Sequence, residues 1–499
     1  MSGPTTPSLD FDPATLTLPR SQFIGGQLVD AGEEVLPVLR PCDGGPLGDL
    51  READEGLVHR AVDDARQAWL ASGWGTCPPR ERARVLRRWA DLIDRDAVAL
   101  GQLEAVASTR PVGEAVPGDV PFTAEAIRFF AELADKSGGD VAATRRDSLG
   151  LVMAEPYGVI GAIAPWNFPL SMASWKCGPA LAAGNAVVLK PSELTPYSTL
   201  RLAQLAIEAG VPPGIFNVVN GRGHVTGAAL VRHPGIGKIS FTGSTRTGGQ
   251  IMSETGRHGT RPVTLELGGK SPQLVFADIA DLDHVARCIA RGFTANAGQA
   301  CVAGSRLIVH RSLAEPLCEA IVAQVRRLRP GPTWASCSAY APIISQSQAQ
   351  RIDQLVRAAV DAGASVLTGG GFFDDAPCFY QPTVLDDVTP DLAVLREEVF
   401  GPVLTVQRFD EEEEGLLLAD HATYGLAAGV YTRDIGQALR AARRIEAGTI
   451  WINRYGRSGD MIIPTGGYKG SGIGKDLGRQ AFEAALRYKS VLIDFEAAA

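Results

Sequence analysis

Apolar residues early in the chain return at helical spacing. Between Gly56 and Leu70 the positions Val58, Ala61, Val62, Ala65 and Ala68 share one face of a helix and leave the other face polar. The run from Ala83 to Thr109, ARVLRRWADLIDRDAVALGQLEAVAST, continues that pattern, so this part of the chain is expected to be helix-rich. Between Ser137 and Pro156 the period shortens. Alternating runs flank Arg145-Arg146-Asp147, which predicts an exposed hairpin.

From Gly158 compact apolar runs alternate with helical ones. VIGAIA (159–164) and NAVVLK (185–190) have the composition of buried parallel strands and end at Pro or Lys. Helical segments cover 171–184 and 195–210, the second expected to open with Thr195 as N-cap and Pro196 in the first turn, and to close at Gly210. FNVVN (216–220) and KISFTGS (238–244) complete a βαβ series of the dinucleotide-binding type.

A second α/β series begins near Leu265. It has strands at 271–276, 305–310, 401–409 and 447–453 and helices over 281–296 and 312–328. Glu411 to Glu414 fall at a helix start, where negative charge suits the dipole, and a solvated surface explains them equally well. With no repeat and no low-complexity linker, two α/β halves should pack with a site between them. Pro4, Pro7, Pro13 and Pro19 mark the first 20 residues as a poorly ordered lead-in.

Composition narrows the function more than the fold. The 499 residues carry a net charge of −8, which argues against nucleic acid or an anionic membrane as partner. No secretory pattern opens the chain, and no uninterrupted apolar run is long enough to span a bilayer. The eight cysteines form no C-x-x-C pair, and the seven histidines take no metal-ligand spacing with them. A reduced, cytoplasmic, metal-free protein is expected.

The candidate chemistry centres on Cys301 in FTANAGQACVAGSR, where small neighbours allow close approach to the sulfur. A buried structural thiol is the alternative. Around it stand TLELGGKSP (264–272), IAPWNFP (163–169), EEVFGP (397–402) and KPSE (190–193). This set, in this order, resembles the NAD(P)-dependent aldehyde dehydrogenase superfamily from about residue 20 to about residue 490. The resemblance implies a Rossmann-like NAD-binding domain (21–136 and 157–264) and a second α/β catalytic domain (265–483). It also implies a small β oligomerisation element (137–156 and 484–499) that makes a homodimer or homotetramer. Ser490 to Asp494 have strand composition for that element, and a strand completing the subunit's own sheet is the alternative.

By the same resemblance Cys301 is the nucleophile, forming first a hemithioacetal and then a thioester. Asn167 supplies an oxyanion donor beside the Cys301 N–H, or else is a turn-forming Asn. Glu266 activates the water that hydrolyses the thioester, or else is a buried structural carboxylate. For the cofactor, Gly221-Arg222-Gly223 and Gly472-Ile473-Gly474 are each followed by a glycine one residue too late for G-x-G-x-x-G. Phe241-Thr242-Gly243-Ser244 instead runs a strand into a helix start able to offer N–H groups to a pyrophosphate. Ile163, Trp166, Lys190, Ser192, Glu193, Gly223, Gly227, Phe241, Gly243, Ser244, Glu398 and Phe400 are the implied cofactor contacts. A carboxylate at Glu193 favours NAD over NADP by repelling a 2′-phosphate.

One departure bears on the substrate. Pro464-Thr465-Gly466-Gly467 replaces the family's usual Pro-Phe-Gly-Gly, so a pocket of Phe168, Met172, Trp175 and Thr465 should be wider and more polar. Asp460 is a candidate for attracting a cationic tail, or a solvated loop carboxylate. A bulky or ω-amino aldehyde is expected. Three other readings stand beside this one: a CoA-acylating relative, against which Glu266 argues; a cysteine hydrolase, for which no histidine motif is present; and a catalytically silent binding protein.

Overall fold

A computed structural model describes residues 8–495. The expected helix over 56–70 is Glu55–Ser72, opened by the Asp54 carboxylate, which accepts from Leu57 N, and closed by Gly73 at φ +65°. The next helical run divides into Pro79–Arg95 and Ala97–Ala107. These helices and Val120–Leu133 pack against the first of two large sheets, with Trp89, Phe130 and Phe216 in the core between them.

That sheet has five parallel strands in the order Phe216–Val218, Ala186–Lys190, Val159–Ile163, Lys238–Thr242, Val263–Glu266. The order reverses beside Val159–Ile163, the first of these five in the chain, which opens a crevice at the carboxyl ends. Antiparallel strands missed in the sequence, Gln22–Ile24 and Gln27–Val29, extend one edge. The late strand Gly472–Ile473 extends the other. Met461, Leu477 and Phe482 also return to this core, so the last part of the 265–483 stretch belongs physically with the first sheet.

The second sheet repeats the reversal. Its parallel strands run Thr383–Asp386, Val403–Phe409, Arg306–His310, Pro272–Val275, Ala427–Tyr431, Thr449–Ile452. The expected hairpin is present as Asp140–Ala142 and Ser148–Pro156, and the C-terminal strand Leu486–Asp494 pairs with the latter over nine residues, Leu486↔Pro156 to Asp494↔Ser148.

Two expectations need correction. Thr195 does not cap its helix: the helix is Tyr197–Glu208, preceded by Pro196 with no side-chain cap bond, and the Thr195 hydroxyl is buried without a partner. Gly210 does take the left-handed conformation just beyond its end, at φ +97°. Of the lead-in, residues 1–7 lie outside the described residues. Residues 8–20 lie along the body, where Phe11 N donates to Trp334 O and the Asp10 carboxylate accepts from Ser336.

Candidate active site

The carboxyl edge of the first sheet brings together residues far apart in the chain. Ile163 pairs with Lys190 on one side and with Phe241 on the other, and Thr242 pairs with Glu266. Glu266 thus ends its strand facing the crevice end of the sheet. It is 6% exposed, its Oε1 has no hydrogen-bond partner among the described residues, and Gly466 backs it so closely that a Cβ there would lie 2.9 Å from that oxygen. Burial, and then the nearby Asp476 charge, hold the Glu266 carboxyl well above the usual carboxylate range. Asp476 is itself paired with Lys176 at 3.1 Å, and Lys176 Nζ also donates to Ser240 Oγ.

Cys301 arrives from the other half. The helix Leu282–Thr294 ends in a tight turn in which Asn296 and Ala297 have φ +52° and +51° and Gly298 has φ +70°. Asn tolerates that conformation, and Gly298 is required for a second reason: a Cβ would stand 2.2 Å from Gly401 O. Side chains lock the turn. Asn296 Nδ2 donates to Asn167 O (3.1 Å), Thr109 Oγ1 donates to Asn296 Oδ1 (2.6 Å), and Gln299 Nε2 donates to Pro342 O (2.9 Å). Asn167 Nδ2 donates to Gln299 O at 3.0 Å, which leaves its second N–H free for a ligand oxygen.

The two glycines of LELGG let these parts close on one another. A Cβ on Gly268 would lie 2.2 Å from Glu398 Oε2, and one on Gly269 would lie 2.5 Å from Cys301 O. Gly269 N donates to Glu398 Oε1 at 3.1 Å. Burial pushes Glu398 up to about 7, against that hydrogen bond. The Cys301 thiol is pushed up to about 12, by burial first and then by the charges of Glu398 and Glu266, with Arg457 opposing.

The expected cofactor contacts cluster beside this centre. Ser244 caps the helix Thr245–Arg257 through Oγ, which accepts from Thr247 N, so free N–H groups point from the helix start. Gly243 has no room for a side chain, since a Cβ would meet the Phe241 ring at 2.4 Å. Lys190 Nζ pairs with Glu193 at 3.1 Å, and Ser192 Oγ accepts from Leu194 N. Gly223 and Gly227 span a wide turn leading into the helix Ala228–Arg232; Gly227 lies against Lys190, and Gly223 faces open space. Phe400 stands edge-on to Trp166 with centroids 5.4 Å apart, at φ +53°. Gln348 holds it there by donating to the Val399 and Phe400 carbonyls, and Arg351 donates to Val399 and Glu398.

Phe168, Met172 and Trp175 lie at helical spacing at the start of Pro169–Ala182, Met172 buried and both aromatics half-buried. Phe122 packs 6.1 Å from Trp175. Thr465 is buried and backbone-paired with Asp476. Asp460 is exposed and accepts from Ser458, as the solvated-loop reading expects. The member of that loop that turns toward the aromatic wall is Arg457, 5.3 Å above the Trp175 ring.

Asn296, Gln299, Gln348, Arg351, Lys176, Asp476 and Arg457 had not been singled out from the sequence. Only Asn296-Ala297-Gly298 carried a local signal, as a run suited to left-handed backbone. Elsewhere, His59 lies 2.7 Å from His233 and 3.2 Å from Asp63, the one metal-like grouping among the described residues. Its ring nitrogens already have protein partners, His233 Nδ1 accepting from Gly235 N.

Comparison with known proteins agrees with this geometry. The profile of the Aldehyde dehydrogenase family matches residues 28–491. A curated Escherichia coli K12 protein, NADP/NAD-dependent aldehyde dehydrogenase PuuC, is 40% identical over 97% of each chain. Among solved structures, gamma-glutamyl-gamma-aminobutyraldehyde dehydrogenase from Burkholderia cenocepacia aligns with a TM-score of 0.94 at 42% identity, covering 97% of this chain and 98% of that one. A cysteine-to-alanine mutant of P. syringae AldA indole-3-acetaldehyde dehydrogenase, in complex with NAD+ and IAA, aligns with a TM-score of 0.94 at 38% identity and the same coverage.

Proposed function

We propose a mechanism for a chain that belongs to the aldehyde dehydrogenase family: oxidation of an aldehyde to a free carboxylic acid through Cys301. The observation that carries it is the meeting of a half-buried thiol, a buried unpaired carboxyl and a free amide N–H, drawn from two separate sheets into one site. An aldehyde gives up hydride readily only after a nucleophile has added to its carbonyl, and Cys301 Sγ makes that adduct. Asn167 Nδ2 and the Cys301 backbone N–H hold the oxyanion. The resulting thioester is attacked by a water that Glu266 deprotonates. Burial raises the Glu266 carboxyl above its ordinary value, which makes it a stronger base toward water than an exposed carboxylate.

The cofactor reading is NAD, which supplies the hydride acceptor when bound. The residues fit it: the capped start of Thr245–Arg257 for the pyrophosphate, Lys190 and Glu193 for the adenosine ribose, and Trp166, Glu398 and Phe400 for the nicotinamide end. The Lys190–Glu193 pair tempers the repulsion of a 2′-phosphate, so NAD is preferred without being exclusive. Phe168, Met172, Trp175 and Thr465 are the proposed lining of the substrate pocket, with a small Thr465 side chain favouring a bulky aldehyde. The eight free thiols support a reducing, cytoplasmic setting. The CoA-acylating alternative has no use for Glu266.

Replacing Cys301 by Ala tests the reading. NADH formation from any aldehyde should fall below detection while the Kd for NAD stays within about twofold, because the sulfur is only a neighbour of the cofactor. Residual turnover above a few per cent would remove Cys301 as nucleophile.

A further inference from the structure

Arg457 is the charged group on the aromatic wall of the substrate pocket, and its charge is unspent. Its guanidinium lies 5.3 Å over the Trp175 ring, and its only hydrogen bond is a long one, 3.5 Å to Ile463 O. No carboxylate lies within ion-pair distance of it among the described residues. Asp460 is turned to solvent beside Ser458, and Asp476 is taken by Lys176. The other arginine on this wall, Arg110 over Phe168, is neutralised by Asp119 and Glu114, each at 2.7 Å. Trp175 Nε1 adds a buried N–H without an acceptor.

We infer that Arg457, with the Trp175 N–H, forms a carboxylate subsite on the aromatic wall of the pocket, so that the preferred substrates are aldehydes bearing a carboxylate on a carbon chain. A planar guanidinium pinned on an indole keeps its donor fork free for two parallel bonds to a carboxylate. An amine-tailed aldehyde would meet like charge in the same place. The inference rests on the aldehyde-oxidising reading of Cys301 and deepens it. It competes with one other role, since the Arg457 charge also bears on Cys301 and Glu266 and favours the thiolate.

The experiment measures kcat/KM for ω-oxo carboxylates of increasing chain length, their methyl esters, the matched unsubstituted aldehydes and 4-aminobutanal. Wild type should prefer the best oxo acid over its own ester by about 30-fold, the size expected of a charge-assisted pair. That ratio should fall to about 1 in Arg457→Met and be partly kept in Arg457→Lys. A wild-type ratio near 1, or preference for 4-aminobutanal, overturns the subsite even if neither variant folds. An Arg457→Met enzyme that loses acid and ester equally, ratio intact, overturns it in favour of a role on the thiol. Oxidation of none of these aldehydes by wild type would instead defeat the Cys301 reading.

Discussion

The proposed nucleophile and base are held against their own ionisation, and that sets the pH behaviour expected of them. Burial, and then the charges of Glu398 and Glu266, oppose the Cys301 thiolate and hold the thiol above its ordinary value. Replacing Glu266 by Gln removes one of those charges and lowers the thiol pKa. Because Glu266 is itself held protonated well above the usual range, its repulsion acts only at higher pH. Alkylation of Glu266→Gln by iodoacetamide should therefore be faster than that of wild type, by a margin that widens as pH rises. In turnover the same variant should give a burst near one NADH per active site and then slow about 10²–10⁴-fold, the value of a lost general base. Loss of the burst would put Glu266 before the thioester, in activating Cys301. Cys301, Glu266 and Asn167 could be picked out as candidates because each sits in a distinctive short motif. Arg457 was not, since a lone arginine in a glycine-rich loop looks like any solvated charge until Trp175 is found beneath it.

Among the elements, the legible ones were those whose burial is periodic or complete. Val159–Ile163, Ala186–Lys190 and Lys238–Thr242 are buried throughout, and the sequence shows the first two as compact apolar runs and the third as an alternating one. Gln22–Ile24 and Gln27–Val29 were missed because three residues cannot display a period. The cap at Thr195 was misread because a threonine before a proline matches the pattern without the hydrogen bond. The turn before Cys301 depends on contacts that no local pattern reports, above all the closeness of Gly298 to Gly401 O. A Cβ at 2.2 Å from a backbone oxygen cannot be absorbed by a side-chain shift, so Gly298→Ala must move one loop or the other. The cost should be about 1–3 kcal/mol of stability, as for overpacking elsewhere. Displacing Cys301 from Asn167 should lower kcat about 10²-fold with NAD affinity nearly unchanged. A variant with wild-type kcat would mean that the turn does not fix the sulfur.

At the scale of the whole molecule, the sheet of Asp140–Ala142, Ser148–Pro156 and Leu486–Asp494 is unlike the two large ones. The register puts Val141, Leu151 and Val491 in one row, and the alternation adds Leu149, Met153 and Ile493 to the same face. That face is apolar apart from one end, where Lys489 pairs with Glu155, yet Val141 is 72% exposed, Met153 44% and Ile493 42%. Leu486–Asp494 is also an edge, nine residues long, whose outer N–H and C=O groups no other strand takes up among the described residues. A long edge and an apolar face left to solvent favour association, so a second copy of the chain is the natural cover. Because Val141 is mostly exposed and Ile493 nearly half exposed within one chain, the double change Val141→Asp, Ile493→Asp should cost the single-chain fold a Tm loss of a few degrees, traceable to this sheet. The same charges buried between copies would lack partners and cost several kcal/mol, enough to dissociate the assembly. Sedimentation velocity should therefore find wild type as a dimer or tetramer and the double variant as a monomer with the wild-type far-UV spectrum. A monomeric wild type, or a variant of unchanged size, would return this sheet to the role of completing its own subunit.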